Sequence, residues 1–200
     1  MVLSLIGAAA LAVAAQAHVV TLDTSSLVGT GTYYVDFQLN DGSGVGNANN
    51  SAYITDINLG GGSVAGPVTA WGGIWGDLSA GITLTDTEAF NEFFQAFLPG
   101  TFLSFELSLT NNVNGAVPDM FGFAILGEDT FNLPTYAPGS DQFLTVELNG
   151  GERVWQTYGS TSGIAAPSVP DAGSTALLFS AALLGMVGLR RFAHRSVAAA

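Results

Sequence analysis

Carboxylates are the only reactive groups this chain carries in quantity. Its 200 residues include sixteen Asp and Glu, two His and no Cys. The two histidines, His18 and His194, stand near opposite ends. Between them no imidazole is left for a Ser-His-Asp triad or a zinc centre. Without Cys there is no thiolate nucleophile, no disulfide and no thiolate metal site. A glycosidase needs two carboxyl groups at a set separation, and Asp36, Glu88, Glu92, Glu106 and Glu147 are candidates. Their placement is that of solvated strand faces, so the chain reads as a non-enzymatic protein.

Oxygen ligands for calcium could come from Asp41-Gly42-Ser43-Gly44 or from Glu128-Asp129. Neither has the spaced acidic loop of an EF-hand. Both read as turns, no residue is assigned as a metal ligand and no cofactor is expected, with a calcium ion as the open alternative. Gly42-x-Gly44-x-Gly46 lacks the following helix that a phosphate loop needs. The best binding motif is Trp71-Gly72-Gly73-Ile74-Trp75, two indoles in a Gly-rich loop. They could stack on sugar rings, as in a carbohydrate-binding module, or close the end of the fold as core.

The charge balance narrows the partners. The chain has no Lys, and between His18 and Ser168 the single Arg153 faces fifteen Asp and Glu, a formal charge of −14. That field repels nucleic acid and anionic lipid and is compatible with cations, neutral glycans or basic surfaces.

The body that must position these groups reads as strands. Residues 32–40 alternate, with Tyr33, Val35, Phe37 and Leu39 on one face. Residues 19–22 precede them as an edge strand. Further strands are expected over residues 52–59, 82–84, 103–109, 120–126, 142–148 and 153–158, the last two joined as a hairpin by Asn149-Gly150-Gly151. Residues 120–126 are apolar on both faces, as a central strand is. Thr85-x-x-Glu88 is a capping-box pattern, and Phe90, Phe93, Phe94 and Phe97 sit at helical spacing before Pro99-Gly100. A short helix is therefore expected from about Asp86, with a change to strand near Phe94 as the alternative and the four rings as core. The fold class is an all-β antiparallel sandwich, jelly-roll-like, with one short helix.

Both ends of the chain read as targeting segments. Residues 2–15 are apolar, and Ala15-Gln16-Ala17 fits the small-x-small cleavage pattern before His18. A signal peptide is expected over residues 1–17, for a signal peptidase. Residues 172–189 are eighteen residues without charge, a helix of ~27 Å, about one hydrocarbon thickness. Arg190, Arg191 and Arg195 beyond it favour a cytoplasmic C-terminus, with the body outside. Residues 18–160 form the ectodomain and residues 161–168 a small-residue linker.

The tail carries a family likeness. Val169-Pro170-Asp171, Gly173-Ser174-Thr175, an apolar helix and Arg190-Arg191 resemble the PEP-CTERM class of sorting signals in its Val-Pro-Asp variant. The resemblance implies recognition of residues 169–195 by an exosortase, a membrane transpeptidase that removes the tail, and transient anchoring in the cytoplasmic membrane. The body also looks like a recurrent PEP-CTERM ectodomain of unassigned activity. It does so through residues 21–25, Val35-Asp36-Phe37-Gln38, Asn91-Glu92-Phe93-Phe94-Gln95 and residues 103–107. The expected function is a non-enzymatic cell-surface or exopolysaccharide-associated matrix protein, with a carbohydrate-binding module using Trp71 and Trp75 as the alternative.

Overall fold

Residues 17–113 and 115–169 are described by the computed structural model, and they form two antiparallel sheets. The strands are β1 His18–Asp23, β2 Tyr33–Asn40, β3 Ser51–Asn58, β4 Ser63–Trp71, β5 Gly73–Asp77 and β6 Gly81–Thr85. They continue as β7 Phe90–Leu98, β8 Phe102–Leu109, β9 Asp119–Leu126, β10 Leu144–Leu148 and β11 Val154–Thr157. One sheet has the order β1-β8-β3-β6-β5, the other β11-β10-β9-β2-β7-β4.

The period-two pattern explains how the sheets meet. Val35, Phe37 and Leu39 of β2 and Leu103, Phe105 and Leu107 of β8 are almost wholly buried, and their strand neighbours, apart from the buried Asp36, are more exposed. Phe37 is the hub of the core. Its ring packs edge-on to Phe105 at 5.1 Å and stacks on Phe123 at 5.5 Å. Each such pair adds about 0.5–1.5 kcal/mol beyond simple burial. β9 lies between β10 and β2 and is buried along most of its length, which accounts for its unbroken apolar run.

The expected helix is absent. Residues 90–98 form strand β7, paired with β2 on one side and β4 on the other. The four Phe rings therefore split by strand parity. Phe93 and Phe97 are buried in the core, whereas Phe90 and Phe94 face outward. Among the described residues the only helix is a single 3-10 turn, Ser25–Leu27. Two strands were also unexpected. β4 holds Gly66 and Pro67 at a register shift, and it forms an edge of its sheet, where a Pro is tolerated. β5 follows it directly after Gly72, whose φ of 80° turns the chain from one sheet into the other.

Residues 161–168, expected as a linker, lie against the sandwich. Ile164 is buried in the core, and Ser168 exchanges backbone hydrogen bonds with Thr21 of β1 at 2.8 and 3.0 Å. Val169 packs against the same core. At the other end, His18 is the first residue of β1 and its ring packs on Trp155 at 4.4 Å. No helix among the described residues is long and apolar enough to cross a membrane. Residues 1–16, with Ala15, and residues 170–200, with the expected membrane helix, lie outside the described residues.

Candidate functional site

The outer face of the six-stranded sheet is the first candidate. Strand pairing sets Trp71, Glu92, Gln38, Gly122, Thr145 and Gln156 in one row across β4, β7, β2, β9, β10 and β11. Six strands spaced by about 4.8 Å make that row roughly 24 Å long. At its β4 end lies an open depression of about 300 Å³ lined by Thr69, Ala70, Trp71, Phe90, Glu92 and Phe94. Trp71 is 68 % exposed and Phe90 40 %. The Tyr34 ring of β2 meets Phe94 edge-on at 6.0 Å and extends the aromatic surface.

Amides organise the middle of the row. Gln38 Nε2 donates to Asp36 Oδ2 at 2.8 Å and to Glu92 Oε1 at 3.3 Å. Gln142 Nε2 donates to Gln38 Oε1 at 3.3 Å. Gly122 makes room for that amide, since a Cβ there would stand 2.9 Å from Gln142 Oε1. Beneath these side chains Asp36 is only 1 % exposed, and its Oδ1 has no hydrogen-bond partner. Burial first, and then the neighbouring Glu92 carboxylate, push the Asp36 carboxyl up to about 8, against the single opposing bond from Gln38. Asp36 is therefore largely a neutral acid at pH 7. Burial also raises Glu92 above the usual carboxylate range.

The two indoles do not share a surface. Trp71 pairs with Glu92 in the six-stranded sheet, whereas Trp75 pairs with Thr83 in the five-stranded one. Thr83 is in turn opposite Tyr53, which faces outward and is 42 % exposed, so Trp75, itself 60 % exposed, belongs to the other outer face. Both sit on strands and not in a Gly-rich loop. The pair is thus not one platform, and the partners of Trp71 are Phe90 and Phe94, which the helical spacing had assigned to the core.

Carboxylates converge at one end of the sandwich. Asp41 follows β2, Asp86 follows β6 and Asp119 opens β9, so the group draws on both sheets. All three are buried, and one oxygen from each lies within 4.8 Å of the others. Asp41 Oδ1 accepts from the Ser43 N–H at 2.5 Å, and Asp86 Oδ1 from the Asn50 N–H at 3.0 Å. Asp119 accepts from the Gly42 N–H at 2.8 Å and from Asn50 Nδ2 at 2.6 Å. Burial, helped by the Asp119 carboxylate, pushes Asp86 up to about 6. Of the two calcium candidates read from the sequence, Asp41 joins this group. Glu128-Asp129 follows the opposite end of β9, where Asp129 Oδ1 accepts from the Phe131 N–H at 3.2 Å in a turn. Asp86 and Asp119 were not singled out from the sequence, and only the fold brings them to Asp41.

The other candidate carboxylates are dispersed. Glu88 is exposed in the turn before β7, Glu106 faces outward on the five-stranded sheet, and Glu147 is half-buried on β10.

No curated protein and no solved structure matches the chain. A family model does match its end. Residues 168–191 match the VPDSG-CTERM motif, with Ala172 where the motif's name spells Ser. The chain thus carries a PEP-CTERM-like exosortase sorting signal, the mark of an exported protein destined for the cell surface.

Proposed function

We propose that the protein is a non-enzymatic component of the extracellular matrix, held in an exopolysaccharide layer by the outer face of its six-stranded sheet. Export begins with removal of residues 1–17 by signal peptidase before His18. Residues 172–189 then hold the body outside the cytoplasmic membrane, with the Arg190-Arg191 tail inside. Exosortase cuts near Val169-Pro170-Asp171. Pro170 disfavours helix at the residue before it, Val169. β1-β8-β3-β6 opposite β2-β7-β4 reads as the two halves of a jelly roll, an architecture that leaves broad outer sheet faces for ligands.

The observation that carries the matrix reading is the exposed aromatic depression of Trp71, Phe90 and Phe94 beside a row of amides and a carboxylate. Sugar rings offer apolar faces to aromatic rings and hydroxyls to amides and carboxylates, so such a surface suits a neutral glycan. The strongly negative body favours a neutral polymer over an acidic one. The non-enzymatic reading is supported by Asp36. A glycosidic bond must reach two carboxyl groups, and at 1 % exposure Asp36 is closed to it, leaving Glu92 alone.

Co-sedimentation of the full chain with neutral exopolysaccharide from its host tests this reading. The wild type is expected in the pellet and Trp71→Ala in the supernatant, with unchanged melting. Wild-type protein that stays in the supernatant would remove the matrix function. Sorting is checked separately by intact mass: mature protein should lack everything from about residue 171 onward. Changing Pro170 and Asp171 to Ala should leave a membrane-bound form ~3 kDa heavier, since 20.5 kDa over 200 residues is about 0.1 kDa each and roughly thirty would be retained.

A further inference from the structure

We infer that Asp41, Asp86 and Asp119 form a calcium site that ties the two sheets together at one end of the sandwich. The geometry fits the ion. Calcium takes oxygen ligands at about 2.3–2.6 Å, so oxygens on one coordination sphere lie within roughly 5 Å of each other. The three carboxylates offer oxygens within 4.8 Å of one another.

A second observation points to a missing ligand. Asp41 Oδ2 and Asp86 Oδ2 are fully buried without a hydrogen-bond partner, on residues only 6 % and 0 % exposed. Their other oxygens are already engaged by the Ser43 and Asn50 N–H groups, which fix both carboxylates in place. A buried, unpartnered carboxylate oxygen is costly, and an ion removes that cost at two oxygens together. The chain has no Lys, and Arg153, the only basic residue of the body besides His18, gives its Nη2 to the Leu109 carbonyl at 2.6 Å.

The surroundings are built to hold the carboxylates in position. Asn50 is wholly buried; its Nδ2 holds Asp119, and its Oδ1 accepts from Thr110 Oγ1 at 3.0 Å and the Asn112 N–H at 2.8 Å. Asn50 is thus a positioning residue. A depression of about 110 Å³ lined by Asn112, Val117, Pro118 and Asp119 adjoins the group on the Asp119 side. The donor set is all oxygen, with no imidazole or thiolate, which selects a hard cation. Magnesium demands ligands at about 2.0–2.1 Å in a strict octahedron and sheds water reluctantly, so calcium suits this site better.

Full chain purified in mild detergent and stripped with EGTA tests the assignment by titration with calcium chloride, with magnesium chloride alongside. Extracellular calcium modules bind at about 10⁻⁴–10⁻³ M. At 10 mM, roughly 10 to 100 times that constant, the melting temperature should rise by about 3–10 °C, and much less with magnesium. Asp86→Asn and Asp119→Asn should abolish the calcium shift, and Asp86→Asn, which keeps Oδ1 for the Asn50 N–H and replaces the unpartnered Oδ2, should melt higher than wild type in EGTA because it removes one unneutralised charge. Glu128→Gln, at the other end of β9, should keep the full shift. Should the Asn variants fail to fold, the wild-type titration decides alone. Equal melting in EGTA and calcium, which a proton shared within the group would give, overturns the site. So does a calcium shift that survives in Asp86→Asn or disappears in Glu128→Gln.

Discussion

The two outer faces of the sandwich carry one exposed indole each and are otherwise unlike. Around Trp71 the six-stranded sheet gathers Phe90, Phe94 and a depression, and the row continues as Glu92, Gln38, Thr145 and Gln156. Around Trp75 the five-stranded sheet offers Thr83, Tyr53 and Ser108 in the corresponding row. Both faces obey the same alternation with the same core behind them. What distinguishes the Trp71 face is a second layer: Asp36, buried and bonded to Gln38, whose Oε1 accepts from the Gln142 amide that Gly122 leaves room for. A carboxyl kept neutral beneath a solvent-facing sheet is expensive for folding, and on the Trp71 face it accompanies the clustered aromatics. An exposed Trp alone says little; the proposed glycan reading rests on an exposed Trp beside other rings and an amide row.

Removing what the faces share gives the largest effect. Phe105→Ala deletes a ring packed against Phe37 and Phe123 and should cost about 3–5 kcal/mol in denaturant unfolding. A loss below about 1 kcal/mol would mean that the core is not the common support of the two faces. Next comes the contrast between the indoles. Trp71→Ala should weaken glycan affinity by tenfold or more, the range of a buried aromatic anchor, as read by affinity electrophoresis. Trp75→Ala should change it less than twofold, and equal losses would erase the distinction between the faces.

A pH series addresses the second layer. Asp36 titrates at about 8 when folded and near 3.8 when unfolded, so the folded state binds the extra proton between those values. The stability this proton supplies is complete below about pH 4 and is lost as pH rises through 8. In EGTA, wild-type protein should melt lower at pH 9 than at pH 5. Asp86, raised to about 6, contributes in the same direction, so the diagnostic is the comparison with Asp36→Asn, in which the difference should shrink. An unchanged profile would mean that Asp36 is ionised. The smallest effect is expected from Gly122→Ala, which crowds Gln142 and should lower glycan affinity a few-fold with little loss of stability.

Much of this was legible in the sequence wherever one strand face is dry and the other wet. β2 and β8 alternate cleanly because Val35, Phe37, Leu103 and Phe105 face a single core. The hairpin of β10 and β11 follows from its turn residues. The stretch before Pro99 misled because Phe90, Phe93, Phe94 and Phe97 satisfy a helical period, and a short apolar cluster cannot declare its own period. Pairing with β2 and β4, both distant in sequence, decided it as strand, and with it the identity of the Trp71 depression. β4 was hidden by Gly66, Pro67 and a register shift. The acidic end was illegible for a different reason: Asp41, Asp86 and Asp119 follow or open three separate strands, and nothing local marks them as neighbours.

Tryptophan emission of the full chain during titration with neutral host exopolysaccharide tests the central claim most directly. Trp71 is two-thirds exposed and should emit as a wet indole. If glycan settles on its face, emission should shift to the blue, the shift should vanish in Trp71→Phe and persist in Trp75→Phe. An emission spectrum that polysaccharide leaves unmoved, or a shift lost only in Trp75→Phe, would contradict the account.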